Sequence, residues 1–508
     1  MTDETSKKLL NRRHFISVAG AAIAGSSMVA AQTPLPRGAK ETITASDPKN
    51  APLLCGWATT TITPDKPVQL AGQFAERVSN KVLEPCMANA LVMDGFRSDG
   101  TPDQAVLVSC DLVHIPKEIV AAVRERVAKN LPELDANKII LAATHTHTGP
   151  TMISGTYKDP DPGIIHPEEY CEFFIDQVSA LIVDAWEKRQ PSGISRAVGH
   201  AAVGFNRIMV YADGSMAMYG KTDRKDWLRP YAGHDHALEL LFTWNQAKEL
   251  TGIVINIACP SQVVEGQLYV SPDFWGPVRS RLREEFAADL GVLPLVSAAG
   301  DQSPRDLVRR GRNEPDMRSE PGMNEMAQRI VNGVRYAMET AQTEVSWSAH
   351  LEHHAAPLEL PARKVTEEEA AAARAQIETM DTGKSIDPAS PQAALLRRAR
   401  MVSNRYDTQG DAPTFTMDFH VMRLGDIALA TNPFELYLDY GLQIKARSLA
   451  AQTFIVQLAN DRGAYLPTEG ALSGGAYSTL ITDNKVGPEG GALLVENTIK
   501  AINDMWKD

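Results

Sequence analysis

Cysteine is scarce in this 508-residue chain. The five that occur, Cys55, Cys86, Cys110, Cys171 and Cys259, are scattered, with no C-x-x-C pair. That excludes a structural zinc module of the finger or ribbon kind. The odd count leaves at least one thiol unpaired if the others are bridged. Positive charge is also short: 51 Lys and Arg stand against 63 Asp and Glu, a net charge of -12. A nucleic-acid binder needs a basic face, and nothing here supplies one. Past the N-terminal segment, no apolar run is long enough to span a bilayer. There is no internal repeat and no low-complexity domain. What is present is ordinary globular material, 44% hydrophobic, enough to bury a sizeable core and to exclude global disorder. The length suits two or three average domains or one large enzyme domain.

Residues 1–31 read as an export signal. Lys7 and Lys8 precede Asn11-Arg12-Arg13-His14-Phe15-Ile16, a mildly apolar Gly/Ala-rich stretch runs from Phe15 to Ala30, and Val29-Ala30-Ala31 offers a cleavage site. Twin arginines before a weak apolar run resemble the twin-arginine signal. Gly20, Gly25, Ser26 and Ser27 make the stretch too short and polar for a stable membrane span. The expected product is periplasmic or secreted, with no transmembrane segment. Residues 32–52, rich in Pro, Thr, Ala and Lys, read as a linker. Residues 53–508 are then the working domain.

Within it, short apolar runs alternate with amphipathic segments. Ala105–Cys110 and Lys138–Ala143 read as buried strands, and Pro116–Leu131 and Pro167–Trp186 as helices. Residues 236–244 and 250–259 read as a hairpin turning near 247–248, which sets position 236 opposite position 259. A helix starts at Asp273, and Val292–Ser297 is a strand whose Pro294 is tolerable near its start but not in mid-sheet. Residues 366–408 are charged and helical, with a Gly/Ser/Pro break near 383–391, and read as a surface insertion. Thr414–Thr431 is a hairpin turning at Gly425-Asp426, after which Pro433 opens a helix. The last helix runs from Leu493 to Trp506. The rhythm predicts an α/β fold with mixed sheets flanked by helices.

The strongest chemical signal is Thr144-His145-Thr146-His147-Thr148-Gly149-Pro150. It follows an apolar strand directly. Histidines at i and i+2 on an extended chain point to one side, and a strand end opening into a Gly-Pro loop is where α/β proteins place chemistry. Imidazole suits zinc, and flanking threonines can orient the rings.

With further blocks in the same order, this motif resembles the neutral ceramidases, zinc amidohydrolases that cleave the amide of N-acylsphingosine. Cys110-Asp111-Leu112-Val113 is similar to the family's strand ending in Asp, and Asn206-Arg207 to its N-R. Gly300-Asp301-Gln302-Ser303-Pro304 is similar to G-D-V-S-P, Pro433-Phe434-Glu435 to P-G-E, and Gly463 to Thr468 to G-Y-V-T-T. The blocks cover residues ~53–500. The resemblance implies a bound Zn2+, with His145 as ligand and Glu435 and Tyr465 completing the site. It implies that His147 acts as base on the metal-bound water or donates a proton to the leaving amine. Tyr477 would donate to the oxyanion, and Ser303 would lie close to the attacked carbonyl. Zinc lowers the pKa of bound water to roughly 7, and a phenol aimed at the developing alkoxide stabilises it. The substrate is expected to be a small or lipid-like N-acyl amide. Local readings stand beside these roles. Glu435 suits the first turn of a helix in any case, Tyr465 and Tyr477 suit half-buried positions, and Ser303 suits a turn.

The sequence departs from the family in two places. Where the family carries a metal-binding His followed by Pro/Ser-Thr, this chain reads Cys259-Pro260-Ser261-Gln262, and proline cannot bind zinc. The hairpin register puts Gly233-His234-Asp235-His236 beside the vacated position. His236 or His234 is therefore expected as the replacement ligand, Asp235 as an orienting carboxylate, and Glu265 as a further candidate. The cluster His350, His353 and His354 lies on a strand-like segment that puts His353 on the opposite face from the other two. The second departure is that the chain stops after its final helix, so the family's C-terminal immunoglobulin-like domain is not expected. Two further readings stay open: a hydrolase of another linkage, such as a glycosidase working through Asp111, Asp301 and Glu435, and a binding protein with a decayed site.

Overall fold

The computed structural model describes residues 52–381 and 390–507. The segment read as an export signal, the expected linker up to residue 51 and most of the break near 383–391 lie outside them. Pro102–Cys110 and Ile139–Ala143 pair in parallel, Cys110 facing Ala143. Parallel strands need a crossover. Helix Lys117–Asn130 supplies it, burying Val120, Val123 and Val127 at helical spacing.

These strands end one long mixed sheet. Its order is Gly291–Val296, Leu250–Ile257, Ala237–Asn245, Gln190–His200, Leu54–Thr61, Met87–Phe96, Pro102–Cys110, Ile139–Ala143. The pairings at its two ends are parallel and the others antiparallel. Pro294 sits on an edge strand, where its missing N–H is tolerated. A second sheet orders Leu351–Pro361, Thr414–Leu424, Ile427–Thr431 and Gln452–Val456.

Alternation along the strands decides the layering. Leu91, Met93, Leu107 and Leu293 face Leu351, Met422, Leu429 and Phe454 across the gap between the two sheets. The intervening Ala90, Val92, Val106 and Val108 face helices Lys117–Asn130 and Pro167–Glu187. Further along the same outer face, Trp275–Glu285 and Glu320–Ala341 cover the hairpin strands. Leu438–Arg447 and Pro488–Asp504 cover the outside of the second sheet. The layers run helix, sheet, sheet, helix, an α/β architecture of mixed sheets flanked by helices.

The insertion forms two helices, Glu367–Met380 and Pro391–Thr408, packed through a small cluster of their own. All five cysteines are free and buried. Among the described residues no helix is long and apolar enough to cross a membrane. One local expectation fails. Pro433 does not open a helix: Phe434–Leu436 is a short strand, parallel to Ala464–Leu466, and the helix begins at Leu438. A partner strand thirty residues downstream wins over the local proline signal. The two sheets bring their strand ends together. Asn460 N–H bonds Leu141 O at 2.9 Å, Gln457 N–H bonds Val296 O at 3.0 Å and Asn432 N–H bonds Val456 O at 2.9 Å. The loops that follow residues 143, 257, 296, 431 and 456 therefore gather at one edge, the usual place for a site in such sheets.

Candidate active site

After Ala143 the chain turns sharply, and His145 has φ 62°. The extended conformation expected through the motif is absent. The left-handed turn at His145 brings the two rings together instead, with Nε2 atoms 3.3 Å apart and planes at 74°. Both rings are buried. His145 Nδ1 lies 2.8 Å from the carbonyl of Val113. A carbonyl only accepts, so Nδ1 carries the hydrogen and Nε2 faces inward. Glu435 Oε2 lies 3.4 Å from that Nε2.

His147 is held from several sides. Arg77 donates to the carbonyls of His147 at 2.6 Å and Ala71 at 2.7 Å, tying the loop at 71–77 over the ring. Gly72 has φ 90°, and a Cβ there would lie 2.5 Å from the imidazole Cγ. Gln262 Nε2 is 2.7 Å from His147 Nε2. On the other side Nδ1 faces Glu265 Oε2 at 3.7 Å and the Gln73 amide at 3.5 Å. Glu265 is itself ion-paired with Arg305.

Glu435 and Tyr465 stand directly opposite each other in their small parallel pair. The pair abuts Gly300, where a Cβ would lie 2.2 Å from the Glu435 carbonyl oxygen. Arg207 joins these elements. Its guanidinium lies 3.6 Å from Glu435 Oε2 and donates to Tyr465 Oη at 3.3 Å, Tyr219 Oη at 3.0 Å, Gly300 O at 2.8 Å and Gln262 Oε1 at 3.4 Å. Tyr477 stands beyond Tyr465, ring centroids 6.3 Å apart. Its hydroxyl donates to Asp483 at 3.4 Å, its ring packs on the 76% exposed Phe74, and Arg398 of the insertion lies 5.3 Å from both rings. These residues form the rim of the site.

The electrostatics follow from burial and charge. Burial, reinforced by His145, Arg77 and Arg207, pushes His147 well below the usual imidazole range, so it is neutral at pH 7 and able to accept a proton. Burial tends to raise Glu435, but His145, Arg207 and Tyr465 outweigh it and hold the carboxyl below its ordinary value. Burial, and then the nearby Glu435, push Tyr465 upward. Tyr477 is raised by burial and by Asp483. Both phenols therefore keep their protons and act as donors.

The structure thus gathers His145, His147, Glu435, Tyr465 and Tyr477, drawn from distant parts of the sequence. Ser303 is fully buried and accepts from the Arg305 N–H at 3.2 Å. It neighbours the site through the segment that carries Gly300 and Arg305, without a hydrogen bond to either histidine.

His236 is not brought in. The hairpin register is as expected, with Glu239 facing Asn256, but the paired strands end at Ala237 and Ile257. Beyond them the chains part. Ser261 N–H reaches the Thr144 carbonyl at 3.3 Å, whereas the His236 carbonyl stays with Ala201 at 2.9 Å. His236 Nε2 donates to Gly204 O at 2.9 Å, and His234 Nδ1 accepts from Asn206 N–H at 2.9 Å. Asp235 pairs with Lys445 at 2.9 Å and orients no imidazole. The carboxylates of the glycosidase reading are committed elsewhere too. Asp111 pairs with buried Arg279 and accepts from Met87 N–H at 2.8 Å. Asp301 accepts from Leu438 N–H at 3.0 Å and Asn206 Nδ2 at 2.8 Å.

The donor set does not complete a family-type zinc site. His145 Nε2 and Glu435 Oε2 are spaced like neighbouring ligands, and Tyr465 lies alongside. Pro260 offers no donor, the buried thiol of Cys259 before it is turned to the Val203 carbonyl at 3.2 Å, and the predicted substitute His236 is elsewhere. Among the described residues no group of three or more His, Cys, Asp or Glu side chains is placed to hold a metal ion. Sequence reasoning singled out Glu265 only as a possible ligand. It gave Arg207 no role and passed over Gln262. The signals were the N-R pair and the polar residues just after Pro260.

No protein-family model matches the sequence, and no curated protein matches it. Solved structures do. A neutral ceramidase from Pseudomonas aeruginosa superposes with a TM-score of 0.66 at 17% identity, over 90% of this chain and 75% of that one. A structure described as ceramidase complexed with C2 gives 0.65 at 15% identity, over 89% and 75%. This chain has the ceramidase fold. At that identity the likeness speaks for the fold alone, and the chemistry has to be argued from the site.

Proposed function

We propose that this chain is a divergent, exported hydrolase of the ceramidase type that cleaves an N-acyl amide, its substrate small or lipid-like. What supports this reading is a neutral, buried His147 linked through Gln262 to the Arg207 guanidinium, with the Tyr465 phenol on Arg207 and Tyr477 beyond it at the rim. These are the parts that water attack on an amide requires. His147 Nε2, whose lone pair is marked by the Gln262 N–H, takes the proton of a water as the oxygen adds to the carbonyl carbon. Tyr477, Tyr465 and Arg207 offer hydrogens to the oxyanion that develops. As the C–N bond breaks, the proton on His147 passes to the departing amine, and the carboxylic acid is left. Among the described residues, the donors present do not complete a zinc site.

Purified protein beginning at Gln32 is to be assayed against a panel of N-acyl amides, ceramide included, by release of fatty acid and amine. Wild type should turn over at least one member. His147→Ala should lower kcat/KM by roughly 10²- to 10⁴-fold, and Tyr477→Phe by roughly 10²- to 10³-fold. Activity that survives His147→Ala unchanged would remove this histidine from the reaction, and a panel with no turnover at all would favour a binding protein.

A further inference from the structure

We propose, building on the hydrolase reading, that this centre works without resident zinc. In this chain Pro260 and Gln262 have turned the third-ligand corner of the ceramidase site into a hydrogen-bonded clamp on His147. Arginine has only N–H groups to offer. Arg207 therefore faces the amide oxygen of Gln262, at 3.4 Å, which turns the amide NH₂ to His147 Nε2 at 2.7 Å. This bond orients the ring at rest and gives way to the water whose proton Nε2 takes. His147 Nδ1 then carries the ring hydrogen, directed at the Glu265 carboxylate 3.7 Å away, and Arg305 pairs with that carboxylate.

Arg207, Gln262 and His147 thus form one run of alternating donors and acceptors, and the Glu265–Arg305 pair stands beside it, the carboxylate 3.7 Å from His147 Nδ1. All five are buried. The run occupies the side of the site from which a third ligand would come. Pro260 and Ser261 fix it in place, packed under Thr144 through the 3.3 Å bond from Ser261 N–H. What remains for a metal is His145 Nε2, one Glu435 oxygen and the Tyr465 hydroxyl, with His114 nearby, its imidazole pushed down to about 3 by burial and by Arg462. Arg207 lies within 3.6 Å of that carboxylate and 3.3 Å of that hydroxyl, so both already have a cationic partner. Structural and catalytic zinc sites are built on three or four committed protein donors. This site offers three at most, and two of them are already paired with a cation. The charge that polarises the substrate carbonyl is then the buried guanidinium, whose Nε has no partner of its own.

The test reads metal, not activity. The protein is purified without added metal and its zinc content measured for wild type, His145→Ala and the double variant Pro260→His, Gln262→Thr. Unfolding transitions confirm that each is folded. Wild type should hold substoichiometric zinc and show no rise in Tm on zinc addition, while the double variant should bind zinc at least tenfold more tightly. Zinc that persists in His145→Ala would lie outside this site and leave the proposal standing. About one zinc per chain in wild type, lost in His145→Ala, would overturn it. So would a folded double variant that binds no better than wild type. A failed substrate screen would defeat the hydrolase reading while leaving these measurements intact.

Discussion

At the scale of single residues, the site is governed by contacts with little slack. The Gly72 backbone lies so close to the His147 ring that a methyl group has nowhere to go, and its φ of 90° is one that side chains rarely adopt. Gly72→Ala should therefore cost about 1–3 kcal/mol of stability and lower activity by shifting His147. A urea unfolding midpoint equal to that of wild type would show that the loop relaxes freely. His145 is the other strained point. A non-glycine residue at φ 62° is uncommon, and here it is the turn that makes the two imidazoles meet. The motif announced the histidines. It could not announce this conformation, because the strain is maintained by distant partners such as Val113.

At the scale of elements, the second sheet holds a buried imidazole pair that the site does not use. His353 on Leu351–Pro361 and His420 on Thr414–Leu424 approach to 3.0 Å between Nε2 and Nδ1. Their surroundings are Gln104 O, Asn460 Nδ2, Arg124 and the ion-paired Lys138 and Asp103. Burial, with Lys138 adding to it, lowers His353 from 6.5 to about 4, and burial with His353 and Arg124 lowers His420 as well. A histidine kept neutral in the fold but free to protonate when unfolded makes the unfolded state bind more protons below pH 6.5. Stability should be unaffected above that value and should fall between pH 6.5 and about 4, His353 alone accounting for on the order of 3 kcal/mol. Denaturant midpoints at pH 7.5 and 4.5 check this. If His353→Gln with His420→Gln loses as much stability on acidification as wild type, the pair is not the cause. Strand alternation already set His353 apart from His350 and His354. Its partner His420 was not legible, because the register between strands sixty residues apart is written in neither.

At the scale of the whole molecule, the layered fold delivers the site. The two sheets share one apolar interior, so their strand ends open onto a common edge and assemble residues from 145 to 477. If the first 31 residues are a twin-arginine address, Arg12→Lys together with Arg13→Lys should hold the precursor in the cytoplasm. Wild type should appear in the periplasm or medium beginning at Gln32. Cell fractionation with N-terminal sequencing decides between the two. Normal export of the double-lysine variant would mean another route.

Most strands and helices were readable because apolar spacing is a local property. The buried runs before Asp111 and His145, the hairpin of 237–257 and the paired helices of the insertion all carry their period in the chain itself. The histidine motif was readable as chemistry for the same reason, whereas Glu435 and Tyr465 were singled out only through the resemblance to the ceramidases. What only the tertiary structure decided is who meets whom. Glu435 faces Tyr465 because two three-residue strands pair across thirty positions, in place of the helix that Pro433 advertised. His236 leaves the site and Gln262 enters it because the chains part where the hairpin ends. Arg207 gains its role from five partners scattered along the sequence. Local periodicity fixes elements. Long-range packing fixes distances of three or four ångströms, and the chemistry of this site rests on those.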